Sequence, residues 1–218
     1  MIEEKIDKLK GESISFASHV QHMIYKSIKG LIEKDKDLLN EVIEKDEPIA
    51  NSKEILIDEM CTTIIAQFSP MASDMRMVLM ILKMNNDMER IADHSVNIAQ
   101  SSLFLIDKPD LSVLMDIPSM EQEVINMLND SLTAFIDQNY DLATDVCSRD
   151  DIVDKMLYKV ISKLSHMMIK DPDIVERAIK MMNICYNLER IADLSTNISE
   201  EVVYLTKGKI IKHHTQEV

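Results

Sequence analysis

The stretch NLERIADLSTNIS (Asn187–Ser199) repeats, a hundred residues further along, the stretch DMERIADHSVNIA (Asp87–Ala99), and eight of the thirteen positions are identical. The shared residues include an acidic pair four apart, Glu89 with Asp93 and Glu189 with Asp193. Working outward, Ile32–Ala50 aligns with Ile136–Asp154 at an offset of 104, whereas the ERIAD segments align at 100. The chain is therefore an internal duplication whose second copy has a turn four residues shorter.

Each copy reads as three helices. Apolar or small residues at Ile2, Ile6, Leu9, Ser13, Phe16, Val20, Met23 and Ser27 recur at the 3–4 spacing of one helical face. A second helix is expected from about Leu38 to Phe68, with Ile57, Met60, Ile64 and Phe68 on its buried side, and Pro48 either kinks it or marks its start. SPMASD supplies a turn, and a third helix runs from about Ser73 to Phe104 through Val78, Ile81, Met84, Met88, Ile91, Ser95 and Ile98. IDKPDLSVLMDIPS (Ile106–Ser119) carries two prolines and reads as a linker. Helices are then expected over Met120–Asp137, Asp141–Met168 and Asp173–Lys207. The fold class is all-α: two tandem three-helix bundles, residues 1–105 and 120–208, a linker at 106–119, and a C-terminal tail at 209–218. A single six-helix bundle is the alternative.

Composition narrows the function. Only 3 Gly and 5 Pro in 218 residues leave few helix breakers. The formal charge of −14 repels a phosphate backbone, and only the short run Lys207–His214 interrupts the acidic field, so nucleic acid is excluded as a partner. The opening residues MIEEKIDKLKGESISF alternate charged and apolar side chains, unlike a signal peptide, and no apolar run spans a bilayer, so a cytoplasmic location is expected. Cys61, Cys147 and Cys185 are odd in number and lack CxxC spacing, which points to reduced thiols in helical surroundings.

Residues four apart on a helix are neighbours, so Glu89 and Asp93 repel, as do Glu189 and Asp193. One such pair is ordinarily a solvated face. Here the pair recurs at equivalent positions, and the preceding helix of each copy adds its own acidic pair, Glu54 with Asp58 and Asp150 with Asp154. If the helices pack side by side, four carboxylates converge in each bundle, and such a set of hard oxygens is stable around cations. The added pairs are not equivalent: Asp150 and Asp154 align with Asp46 and Ala50, while Glu54 and Asp58 align with Tyr158 and Ser162, which argues against identical occupancy. Di-iron bundles use ExxH pairs, and none occurs. His94 faces Leu194 in the alignment and reads as a partly exposed side chain, and His166, His213 and His214 form no repeated set. The Met-rich stripe reads as adaptable core.

QFSPMASDMRMVLMILKMNNDMERIADHSVNIA (Gln67–Ala99) resembles the signature of the PhoU family, a P.ASDLR turn leading to an ERIGD-like motif. The likeness extends to VIEKDEPIANSKEILIDEMCTTIIA (Val42–Ala66) and, more loosely, to both copies in order. It implies a non-enzymatic regulator of phosphate homeostasis that dimerises. It also implies damping of the phosphate ABC transporter through its ATPase subunit, and holding the sensor histidine kinase of the phosphate regulon in its inactive mode. It further implies iron or zinc, as multinuclear clusters, on Glu89, Asp93, Glu189, Asp193, Asp150, Asp154, Glu54 and Asp58. Ala92 and Ala192 stand where the family often has Gly, which a helix interior accepts. Ala50 departs from an acidic or amide residue, making the first site the weaker. The rival readings are a metal-dependent enzyme, a metal-binding helical adaptor of another permease, and a metal-free structural adaptor whose acidic stripes face basic surfaces of its partners.

Overall fold

The computed structural model describes residues 1–207. The expected tail at 209–218, with His213, His214 and most of the basic run, lies outside the described residues. The first copy contains α1 (Ile2–Glu33), a short α2 (Lys36–Glu41), α3 (Glu47–Phe68) and α4 (Ser73–Leu105). The second contains α5 (Ile117–Asp137), α6 (Tyr140–Lys170) and α7 (Val175–Lys207). The molecule is all-α, as expected. Single 3₁₀ turns at Ser112–Asp116 and Pro172–Ile174 lead into α5 and α7.

Proline decides a difference between the copies. Val42–Asp46 forms a π-turn immediately before α3, whose first turn carries Pro48. Proline lacks the N–H that would continue the ladder, and the wider turn absorbs the missing bond without ending the helical path. The equivalent residue in the second copy is Ile152, and α6 runs unbroken through it. Pro118 likewise sits in the first turn of α5, where its missing donor costs nothing, so that helix begins at Ile117. At Gly30, near the end of α1, a Cβ would stand 2.6 Å from Leu39 Cδ2, so a larger residue there would have to displace the enclosed Leu39 side chain.

Helices α1, α3 and α4 pack together, as do α5, α6 and α7. The bundles join along α4 and α7, with α1 against α5. Lys83 binds Glu201 at 2.8 Å and His94 Nδ1 pairs with Asn187 Oδ1 at 2.8 Å, so α4 and α7 run antiparallel. Burial is continuous across the join: Phe16, Ile91 and Met88 in the first copy and Leu188, Ile191 and Met127 in the second are fully enclosed. The Met stripe is core. Cys61 and Cys185 are buried and Cys147 half-buried, all three free, and burial pushes their thiols up to about 12.

Each bundle also carries a partly buried ionic knot between its first two helical segments, with the charges exchanged. Lys26 on α1 binds Glu41 and Asp46, each at 2.9 Å. In the second copy the cation sits on α6: Arg149 binds Glu123 at 2.8 Å and Asp130 at 2.5 Å on α5. At the offset of 104, Asp130 replaces Lys26, and Arg149 replaces Lys45. Arg149→Ala leaves half-buried Glu123 and the more open Asp130 without their cation and is expected to cost about 1–2 kcal/mol of unfolding free energy, with Arg149→Lys recovering part. Urea unfolding within about 0.5 kcal/mol of wild type would show that the knot is solvated.

Candidate metal centre

Helical phase sets the two acidic rows. Glu89 and Asp93 lie on the side of α4 that meets α3, and Glu189 and Asp193 occupy the same side of α7, toward α6. The pairing of α3 with α4 is antiparallel, fixed by Asn85 Nδ2 donating to the Glu54 backbone oxygen at 2.9 Å and by Cys61 Sγ donating to the Val78 backbone oxygen at 3.8 Å.

In the second copy the charges of the other three expected carboxylates all reach Glu189. Glu189 and Asp193 are 13% and 31% exposed, Asp150 is half-buried and Asp154 is exposed. Burial first, then the charges of Asp193, Asp154 and Asp150, raise Glu189 from an ordinary 4.5 to about 7, against the opposing pull of Arg190. Glu189 Oε2 is buried without a hydrogen-bond partner, its nearest cation being Arg190 Nε at 3.5 Å. Arg190 also donates to Asp193 at 2.5 Å, so a guanidinium now partly neutralises the pair.

The first copy is arranged differently. Burial, Asp93 and Glu54 raise Glu89, and Arg90 opposes them. Glu54 is half-buried, while Asp58 is exposed further along α3, where its charge is felt at Cys61. Asp46, the counterpart of Asp150, is buried and engaged by Lys26. Arg90 pairs with Asp87 at 3.6 Å instead of with Asp93, leaving this row less neutralised by its own chain.

Among the described residues no three His, Cys, Asp or Glu side chains are grouped so as to enclose one ion. The rows are open. Their donors nonetheless fit a hard cation: they are all carboxylates, they repel one another, and one buried oxygen in the second row lacks a donor. Sequence reasoning missed Asn85 and Arg190, which border the acidic rows, and Asp87, which pairs with Arg90. Asp87 borders a cleft between α4 and α7 with Lys83, Asn197 and Glu201, where burial raises it to about 6. All three sit within one helical turn of an ERIAD acid, which was the available signal. Which of them turns toward the row depends on packing.

These features define a duplicated helical-bundle protein with an acidic row on each copy. The PhoU domain profile matches residues 14–102 and 117–202, and the chain belongs to the PhoU family. Members of this family are accessory and regulatory proteins, not enzymes. The chain is 34% identical over 215 residues, covering 98% of it and 97% of the relative, to a phosphate-specific transport system accessory protein PhoU homolog of Aquifex aeolicus. It is 30% identical over 209 residues to the homolog of Clostridium acetobutylicum, covering 96% and 95% of the two chains. Among solved structures, PhoU from Pseudomonas aeruginosa superposes with a TM-score of 0.92 at 28% identity, covering 96% of this chain and all of that one.

Proposed function

We propose that this protein serves phosphate transport as a PhoU-type regulator, lowering phosphate uptake and phosphate-regulon transcription when phosphate is plentiful. The observation that carries this reading is the full-length likeness to phosphate transport accessory proteins. Its partners in this reading are the ATPase subunit of the phosphate ABC transporter, the sensor histidine kinase of the phosphate regulon, and a second copy of itself. Among the described residues no helix is long and apolar enough to cross a membrane, which supports action from the cytoplasm through those partners. Glu189, Asp193, Asp150 and Asp154 would hold iron or zinc in one copy, and Glu89, Asp93, Glu54 and Asp58 in the other. The cation would relieve carboxylate repulsion and reverse the local charge.

Deleting the gene in its host is expected to leave phosphate-starvation genes expressed in high phosphate. The purified chain is expected to bind the transporter ATPase with an on-rate that falls as salt rises, since a charge of −14 favours basic partner surfaces. Chelation weakens that binding if metal forms the contact and spares it if the carboxylates do. Light scattering should give twice the 25.0 kDa chain mass. Normal repression in the deletion strain, with no binding to either partner at low salt, would remove the proposed role.

A further inference from the structure

We infer that Asn85 is a ligand of the first-copy metal row, supplying a neutral amide oxygen beside Glu54 and Glu89. This deepens the metal reading above and rests on it.

Asn85 lies one turn before Glu89 on the same side of α4, because residues four apart share a helical face. It is 3% exposed. Its Nδ2 donates to the Glu54 backbone oxygen at 2.9 Å, which holds the amide against the residue of α3 whose carboxylate acts on Glu89. The amide oxygen is buried and has no hydrogen-bond partner. A buried amide ordinarily satisfies both ends, so an orphaned acceptor between two carboxylate-bearing residues calls for a cation or a donor. Amide oxygens are ordinary ligands of hard cations. In the second copy the equivalent residue is Cys185, buried and with its thiol pushed up to about 12, so that row has no amide. It has Asp154 where the first copy has Ala50. The first row thus replaces a lost carboxylate with Glu54 from the next turn of α3 and an amide from α4, and its donor set carries less negative charge per ligand.

The test uses the full chain with Glu189→Ala and Asp193→Ala, so that the first row alone is read, titrated with Zn²⁺ by calorimetry and checked by elemental analysis. Asn85→Leu in that background should weaken Zn²⁺ binding at least about tenfold. Asn85→Asp keeps the oxygen and adds charge, and should tighten binding at least about fivefold. A role as a polar pin between α3 and α4 alone predicts lower thermal stability in both variants with Zn²⁺ affinity unchanged, and that result overturns the inference. If Asn85→Leu does not fold, the Asn85→Asp titration decides, and unchanged affinity there overturns it equally. Wild type that binds no Zn²⁺ overturns the metal reading as a whole. Wild type that binds at both rows, with Asn85 indifferent, overturns the ligand assignment only.

Discussion

Chelator-treated protein carrying Glu189→Gln is expected to be more stable than chelator-treated wild type at pH 8, and equal to it near pH 4. Burial and the neighbouring carboxylates raise Glu189 from 4.5 to about 7 in the folded chain. Below the unfolded value both states hold the proton, so the residue is neutral to stability. Between 4.5 and about 7 the native state binds more protons than the unfolded one, and stability falls as pH rises. Above that window the full penalty applies, up to about 3 kcal/mol before solvent and Arg190 screening reduce it. Glutamine keeps the shape without the charge and removes the penalty. Glu89→Gln should act in the same direction, since burial, Asp93 and Glu54 also raise Glu89. Urea unfolding at pH 5 and pH 8 checks this, and a wild type whose stability is flat across that interval would mean that the second row is not crowded.

The largest change in metal content should follow removal of one ERIAD pair. Protein prepared without chelator is expected to carry iron or zinc. Glu189→Ala with Asp193→Ala should remove one row's share, and Glu89→Ala with Asp93→Ala the other, each affinity falling more than about 100-fold because two ligands are lost at once. Binding at the second row must expel the Glu189 proton, so its affinity should decline below about pH 7. Arg190 competes for the same oxygens, and Arg190→Gln should tighten that row. Metal-replete wild type with no bound transition metal would leave both rows as solvated carboxylate faces.

The sequence by itself determined whatever depends on local periodicity. The ERIAD duplication gave two equivalent helices, α4 and α7, and the 3.6-residue repeat alone puts Glu89 beside Asp93 and Glu189 beside Asp193. Few breakers and the apolar spacing dictated an all-α chain, and the enclosed Met84 and Met88 were legible as core from that spacing. Pro48 was ambiguous between a kink and a start, because whether a helix can open a π-turn to accept proline depends on what packs around it. Tertiary structure alone decided which α3 residues reach the first row. Interhelical register pairs residues some thirty positions apart, as in Asn85 with Glu54, and no pattern within either helix encodes it. The same register left Asp58 exposed one turn beyond Glu54, committed Asp46 to Lys26, and buried the oxygen of Asn85, so two nearly identical sequence motifs became two different arrangements.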